Sequence, residues 1–174
     1  MAKNYKALLK GIHTFVFDVD GVFTNNIVLL MPDGEQLRTA NVRDGYAVQL
    51  AIKKGYRIAI ITGGKGEGVR KRFEGLGVKD IFMASSDKVA VFNDYIKNQG
   101  IDPTGVLYMG DDIPDWKVMH LVGLPTCPAD AAPEIKAFAH YISPKKGGKG
   151  CVRDVIEQTL REQGHWFDEE AHHW

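Results

Sequence analysis

The chain has 174 residues, of which 44% are hydrophobic and 25% charged, which suits one domain with a substantial core. Its 22 Lys and Arg residues balance its 22 Asp and Glu residues, which argues against broad binding to nucleic acids or membrane surfaces. With two cysteines, no membrane-length apolar run and no signal-peptide pattern, we expect a cytoplasmic protein with free thiols.

Strand-like and helix-like segments alternate along the chain. Apolar runs predict strands at 12–17, 56–61, 81–83 and 106–109, with weaker signals at 121–124 and 139–142. Helical spacing predicts helices at 43–54, 66–76, 87–98 and 152–160, and a short helix from Trp116 that Asp115 could cap. Because the strands are apolar on both faces, we predict an α/β fold, a doubly wound parallel sheet, in a single domain spanning 1–174.

Residues 26–40 interrupt this alternation. The sequence "PDG" at 32–34 predicts a turn between two short strands, so we expect a β-hairpin flap after the first strand. Ile27, Val28, Leu29 and Leu30 form an apolar patch on this excursion. Such a patch usually needs a partner, so we interpret the hairpin as a subunit contact rather than as surface decoration.

The last segment, 161–174, is polar and rich in histidine. A metal site at His165, His172 and His173 is conceivable, but a polar terminal segment is more often a frayed tail, and we predict that here.

Three of the predicted strands end in polar clusters. The first ends in Asp18-Val19-Asp20-Gly21, the second in Thr62-Gly63-Gly64, and the fourth in Gly110-Asp111-Asp112. Lys88 begins the helix after the third strand. Because ligands bind at the carboxyl ends of parallel strands, these groups are expected at one edge of the sheet.

This set of groups is typical of phosphoryl transfer. Asp18 and Asp111 could hold Mg²⁺, which prefers oxygen ligands and uses one or two carboxylates. Thr62 offers a hydroxyl, the following glycines offer backbone N–H groups, and Lys88 offers a positive charge to a phosphate. Each feature alone has a plainer reading, since DxD can cap a turn and a lysine is usually solvated. Their common position and order favour the functional reading.

The motifs "DVDGVFT", "IITG", Lys88 and "GDDIPD" resemble, in order, the four motifs of the haloacid dehalogenase superfamily. Their spacing is similar to that of its small phosphatases without a cap domain, since neither interval that could hold a cap has room for one. The segments "NVRDGYAVQLAIKKGYRIAIITGG", "GDDIPDWKVM" and "GGKGCVRDV" resemble most closely the 3-deoxy-D-manno-octulosonate 8-phosphate (KDO 8-phosphate) phosphatases. The resemblance covers residues 12–160.

The resemblance implies a covalent mechanism. Asp18 would attack phosphorus and form an aspartyl-phosphate. Asp20 would protonate the leaving sugar oxygen and then activate water. Mg²⁺ would be bound by the Asp18 carboxylate, the Asp20 backbone carbonyl and Asp111.

The resemblance also assigns the supporting groups. Thr62 and Lys88 would hold the phosphoryl oxygens, and Asp112 and Asp115 would orient Lys88 or a metal-bound water. It implies a homotetramer assembled through the hairpins, in which a neighbouring subunit completes the pocket. The glycine-rich segment 145–150 would then reach into a neighbour's site, although a flexible basic loop remains nearly as good a reading.

The substrate is less well defined than the reaction. Gly64 and Gln49 stand where these phosphatases usually have arginines that could bind a sugar carboxylate. The remaining candidates for substrate binding are Asn41, Arg43, Asp44, Gly45, Gly63, Lys65 and Arg72. KDO 8-phosphate is the first choice, and 2-keto-3-deoxynononate 9-phosphate or an N-acylneuraminate 9-phosphate is the alternative.

Two other classes compete with a phosphatase. A receiver-like phospho-acceptor module also has a doubly wound sheet with clustered aspartates, Thr and Lys. Its acceptor lies on the third strand, however, and here that strand ends in Ala84-Ser85. A catalytically silent assembly subunit has no support, because every motif residue is present.

Overall fold

The computed structural model describes residues 4–173. Within this range the strands are β1 Thr14–Phe17, β2 Leu29–Leu30, β3 Gln36–Leu37, β4 Arg57–Ile61, β5 Asp80–Phe82, β6 Val106–Met109, β7 Leu124–Cys127 and β8 Tyr141–Ile142. The α-helices of the same range are α1 Tyr5–Leu9, α2 Val42–Lys53, α3 Glu67–Gly75, α4 Lys88–Gln99, α5 Ile113–Met119, α6 Pro133–Phe138 and α7 Cys151–Glu162. Short 3-10 helices cover Pro103–Gly105 and Glu169–His172.

Six strands form one sheet in the order β5-β4-β1-β6-β7-β8, and every pairing is parallel. The predicted doubly wound α/β fold is therefore confirmed. β1 lies in the middle, with Phe17 opposite Ile60 of β4 and Met109 of β6. The carboxyl ends of the three motif-bearing strands thus lie side by side.

The core has two layers because successive side chains of a strand point to opposite faces. Phe15 and Phe17 pack with buried residues of α2 and α7 on one face. Val16 packs with Phe92 of α4, Val118 of α5 and other residues on the second face. Both layers consist mainly of apolar side chains, and the polar residues of the motifs lie beyond the strand ends.

The weaker element predictions are wrong in their bounds. The strand predicted at 121–124 lies at Leu124–Cys127 and pairs with a strand on each side. The sequence misled the prediction because proline is uncommon inside a strand, and Pro125 therefore weakened the strand signal of this segment. The strand predicted at 139–142 shrinks to Tyr141–Ile142. The helix predicted from Trp116 begins at Ile113, and its N-cap is Asp112 rather than Asp115.

The predicted hairpin is confirmed. β2 and β3 pair antiparallel and form a small sheet of their own. Ile27, Leu29 and Leu30 have exposed fractions of 68%, 63% and 70%. The apolar patch is thus fully presented to solvent in the single chain.

The prediction of a frayed C-terminal tail is wrong. The segment after α7 is docked on the domain, because Trp166 is buried and Lys54 binds Asp168 at 2.6 Å across 114 residues of sequence. The segment 145–150 packs against the loop after β1 of its own chain and is not a free loop, and its reach into a neighbouring subunit's site stays a prediction. The Gly148 N–H donates to the Val22 carbonyl at 2.9 Å, and a Cβ on Gly147 would lie 2.0 Å from the Gly21 carbonyl oxygen. Only glycine permits that approach.

Both cysteines, Cys127 and Cys151, are buried free thiols, as predicted. Between residues 4 and 173, none of the helices is long and apolar enough to cross a membrane.

Candidate active site

The strand ends and the start of α4 line one cleft of about 610 Å³. Asp18 follows β1, Thr62 follows β4, Asp111 lies two residues beyond β6, and Lys88 is the first residue of α4. The structure therefore brings these four predicted residues together, along with Asp20, Gly63, Asp112 and Asp115.

A buried lysine lies between two buried carboxylates. Lys88 Nζ lies 3.0 Å from Asp18 Oδ2 and 2.7 Å from Asp115 Oδ1. Burial raises the pKa of Asp18 to about 6, the negative charge of Asp115 adds to this, and the charge of Lys88 opposes it. Burial lowers the pKa of Lys88, but the two carboxylates outweigh it, so that pKa is raised and the lysine stays charged.

Asp115 has all of its acceptor capacity in use. Oδ1 accepts from Lys88 and from the Tyr108 hydroxyl at 2.8 Å, and Oδ2 accepts from the backbone N–H groups of Asp111 and Asp112 at 3.1 and 3.4 Å. A Cβ on Gly110 would lie 2.4 Å from Asp115, so glycine permits this approach. Asp115 therefore fixes Lys88 and the start of α5. Asp112 is exposed and caps α5, with the Ile113 N–H at 2.8 Å, and does not contact Lys88.

The remaining acids have unmet bonding capacity that fits a cation. Asp18 Oδ1 is buried and has no hydrogen-bond partner among residues 4–173. Carboxylate oxygens of Asp18, Asp111 and Asp115 lie within 4.8 Å of one another. Burial raises the pKa of Asp111 to about 7; a hydrogen bond from Asn26 opposes this and the charge of Asp18 adds to it. Since Asp115 is already saturated, Asp18 and Asp111 are the side chains available to a hard divalent ion.

Asp20 lies at the mouth of the cleft and is paired to an arginine. Arg38 Nε donates to Asp20 Oδ1 at 2.6 Å, and Nη2 donates to Oδ2 at 3.0 Å. The Arg38 side chain is only 7% exposed, and the hydrogen bond to Asp20 raises its pKa. Sequence reasoning missed Arg38, because a lone arginine in a surface hairpin usually faces water.

Asn26 is a second residue that sequence reasoning missed. Its Nδ2 donates to Asp111 Oδ2 at 2.8 Å across 85 residues of sequence. A signal was present in the motif, since Asn is one of the few residues that tolerates the left-handed conformation observed here, φ 63°.

Thr62 is buried, and its hydroxyl accepts from the Gly64 N–H at 3.2 Å. The loop after β4 is further fixed to the loop after β5, where Ser85 N–H donates to the Thr62 carbonyl at 2.9 Å. The hydroxyl is therefore held at the edge of the cleft, within the loop that also contains Gly63.

Known proteins match this arrangement closely. A family model described as haloacid dehalogenase-like hydrolase matches residues 73–156. The 3-deoxy-D-manno-octulosonate 8-phosphate phosphatase KdsC of Escherichia coli (strain K12) is 38% identical over 158 residues, which is 91% of this chain and 84% of the relative. The chain belongs to the KDO 8-phosphate phosphatase family.

Solved structures of this family superpose on nearly the whole chain. The KDO 8-phosphate phosphatase from Yersinia pestis has a TM-score of 0.91 at 34% identity, covering 95% of this chain and 89% of that one. The enzyme from Moraxella catarrhalis, in complex with a magnesium ion, a phosphate ion and KDO, has a TM-score of 0.90 at 30% identity, covering 94% of both chains. This KDO 8-phosphate phosphatase family member is accordingly a phosphoric monoester hydrolase, and the receiver-like and silent-subunit hypotheses are wrong.

The predicted substrate-binding residues are not all near the acids in this family member. Gly63 lines the acid cleft, and the exposed Lys65 borders a small recess beside Asp20 and Arg38. Asn41, Gly45 and Arg72 instead line a second cavity of about 200 Å³ between the hairpin and α3. Arg43 is exposed on α2.

Asp44, which is also predicted to bind substrate, lines neither of these cavities. Its side chain is fully buried, and Oδ1 accepts from the Arg153 N–H at 2.8 Å. α7 begins after Gly150, which has no side chain to cap it, so Asp44 of α2 caps α7 from outside. Burial raises the pKa of Asp44 to about 6, while the backbone N–H groups of Arg153 and Gly150 oppose the rise. The sequence gives no sign of this, because the two helices are far apart in the chain.

Proposed function

We propose that this protein is a Mg²⁺-dependent phosphatase that hydrolyses a sugar-acid phosphate, most closely KDO 8-phosphate, to the free sugar acid and phosphate. The observation that carries the proposal is the state of Asp18. One oxygen pairs with Lys88, while the other is buried and unpartnered at the end of the central strand. A relative with 30% identity and the same fold holds magnesium, phosphate and KDO.

Asp18, Asp111 and the backbone carbonyl of Asp20 would hold the Mg²⁺. When bound, the ion supplies positive charge that offsets the repulsion between the carboxylates and the charge on the phosphoryl group. Burial without hydrogen-bond partners, as at Asp18 Oδ1, is costly for a carboxylate and is relieved by such a ligand.

Asp18 acts as the nucleophile in the first step. A carboxylate oxygen of Asp18 bonds to phosphorus as the bond from phosphorus to the sugar oxygen breaks, and the sugar oxygen takes a proton from the Asp20 carboxyl. Because the pKa of Asp18 is raised only to about 6, the group is mostly ionised at neutral pH. Thr62 and Lys88 hold the oxygens of the transferring group.

Water completes the reaction. The Asp20 carboxylate, left without its proton, takes one from water as the water oxygen attacks phosphorus. The bond from phosphorus to Asp18 breaks, phosphate leaves, and both aspartates return to their starting states. Apart from the sugar phosphate and water, the reaction requires no co-substrate, and it involves no oxidation or reduction.

The sugar acid needs positive charge outside the acid cleft. Lys65, Arg43 and Arg72 are the candidates on this chain, with Asn41, Gly45 and Gly63 as neighbouring neutral positions. The open side of the cleft is covered, we infer, by a neighbouring subunit in a homotetramer assembled through the exposed hairpin. The protein would act in the cytoplasm.

Phosphate release from a substrate panel tests this proposal. The panel contains KDO 8-phosphate, 2-keto-3-deoxynononate 9-phosphate, N-acetylneuraminate 9-phosphate and simple hexose phosphates, each with Mg²⁺ and with EDTA. We expect the highest kcat/KM for KDO 8-phosphate and no turnover with EDTA. A preference for a nine-carbon substrate would overturn the choice of sugar, and full turnover in EDTA would overturn the metal assignment.

A further inference from the structure

The hairpin is fastened to the acid cleft at both of its ends. At its start, Asn26 donates to Asp111 Oδ2 at 2.8 Å. At its end, Arg38 donates to both oxygens of Asp20, at 2.6 and 3.0 Å. Between these two residues, the apolar patch of the hairpin is exposed to solvent.

We propose that Asn26 and Arg38 are positioning residues for the reaction: Asn26 sets the orientation of the metal ligand Asp111, and Arg38 sets that of Asp20. The roles of the two aspartates rest on the proposed function. The contacts made by Asn26 and Arg38 come from the geometry of this chain.

The backbone conformation at Asn26 is one that favours glycine, so the presence of an amide side chain there is informative. Asn26 has φ 63°, a conformation that glycine adopts without cost and other residues with some strain. Gly21 makes room for the amide, since a Cβ there would lie 1.9 Å from Asp111 Oδ2 and 2.5 Å from Asn26 Nδ2. Because the amide holds Oδ2 of Asp111, it limits rotation of the carboxylate that a metal ion would bind.

Arg38 fixes Asp20 more firmly than a single bond would. Two parallel N–H bonds set the plane of the carboxylate, which a lysine ammonium cannot do. The guanidinium is itself held, since Nη1 donates to the Gln36 carbonyl at 2.9 Å. Gly64 leaves space for the pair, because a Cβ there would lie only 3.2 Å from Asp20 Oδ2.

The pairing sets the position of the Asp20 carboxyl group for both steps assigned to it. With a leaving group that needs no proton, only hydrolysis of the aspartyl-phosphate depends on that position.

Asn26→Gly tests the first half through metal binding alone. We expect the Mg²⁺ dissociation constant, measured by titration calorimetry, to rise by about 10-fold, as is usual when a partner of a metal ligand is lost. The unfolding temperature without metal should stay the same or rise, because glycine suits φ 63°. Asn25→Ala is the matched control, since within residues 4–173 the Asn25 side chain accepts a single hydrogen bond, from the nearby Ile27 N–H at 3.3 Å. An unchanged dissociation constant, or a lower metal-free unfolding temperature, would overturn this half.

Arg38→Met tests the second half through rapid-mixing kinetics with p-nitrophenyl phosphate. This leaving group needs no proton, so the first step bypasses Asp20, whereas the second does not. We expect the ratio of the first-turnover rate to the steady-state rate to be higher than in the unmodified protein by on the order of 10-fold. A change of this size is part of the rate enhancement that general acid–base catalysis usually contributes. Arg70→Met on α3 is the control and should leave the ratio unchanged. An equal fall in both rates, or no change, would overturn the role of Arg38.

These readouts separate the inference from the proposed function. If the unmodified protein bound no Mg²⁺ or released no nitrophenol, the proposed function would fail. If it did both and the two variants matched it, only the positioning roles would be wrong.

Discussion

The acid cleft and the hairpin beside it differ in how their side chains are partnered. In the cleft, Lys88 and Asp115 form an ion pair within the chain, with 2.7 Å between Nζ and Oδ1. In the hairpin, Ile27, Leu29 and Leu30 are more than half exposed and contact no core. The difference teaches that the reacting groups are arranged within one chain, whereas the exposed apolar patch of the hairpin leads us to expect a contact with another chain.

The largest effect is expected at the nucleophile. Asp18→Asn keeps the shape of the side chain but removes the attacking carboxylate, so kcat should fall by on the order of 10⁴-fold or more. Phosphate release and the unfolding temperature should be measured together, to show that the fold survives. Turnover near that of the unmodified protein would mean that the cleft is not where the covalent step occurs.

The charge balance of the cleft predicts a pH dependence of stability. Burial raises the pKa of Asp18 to about 6 and of Asp111 to about 7, above the ordinary value of about 4. The folded state therefore binds these protons more tightly than the unfolded chain, and the resulting stability is lost as the pH rises through 6 and 7. We expect the metal-free unfolding free energy to fall by on the order of 2 kcal/mol between pH 5 and 8.

Chemical denaturation with and without Mg²⁺ checks this prediction. Saturating Mg²⁺ should reduce the fall, because the ion binds the ionised carboxylates of the folded state. A metal-free stability that rises over this range would contradict the raised pKa values of Asp18 and Asp111.

The apolar patch of the hairpin is expected to affect recognition rather than chemistry. Leu29→Asp places a charge in the apolar patch and should disrupt the expected subunit contact. Light scattering should therefore show a mass close to that of one chain. We expect KM for the sugar-acid phosphate to rise by about 10-fold, the loss of roughly 1.4 kcal/mol of binding. Turnover of p-nitrophenyl phosphate, which lacks the sugar, should stay the same. An unchanged mass would count against the hairpin as an interface, and equal losses for both substrates would erase the contrast between the two regions.

The smallest effect is expected at Asp44, which belongs to neither region. Asp44→Ala removes the cap of α7 and should cost about 1 kcal/mol in urea unfolding. Asp44→Asn keeps an acceptor and removes a buried charge, so it should be neutral or stabilising at pH 7. A raised KM with unchanged stability would instead restore Asp44 as a substrate-binding residue.

Much of the fold and of the cleft could be predicted from local pattern. The apolar runs around Phe17, Ile60 and Met109 each end in a polar motif, and the rules of parallel sheets put those ends together. The hairpin followed from "PDG" and its flanking residues. The bounds of β7, which contains Pro125, and the docking of the C-terminal segment through Trp166 could not be predicted. In both cases the stabilising contacts come from elsewhere in the chain.

The sequence by itself determined the reaction, since Asp18, Thr62, Lys88 and Asp111 are chemical types at fixed places on strand ends and a helix start. Only the tertiary structure decided the partners of those groups. It joined Asn26 to Asp111, Arg38 to Asp20, and turned Asp44 away from the site. The physical reason is that a motif is local, whereas a hydrogen bond across 85 or 109 residues depends on how separate elements pack.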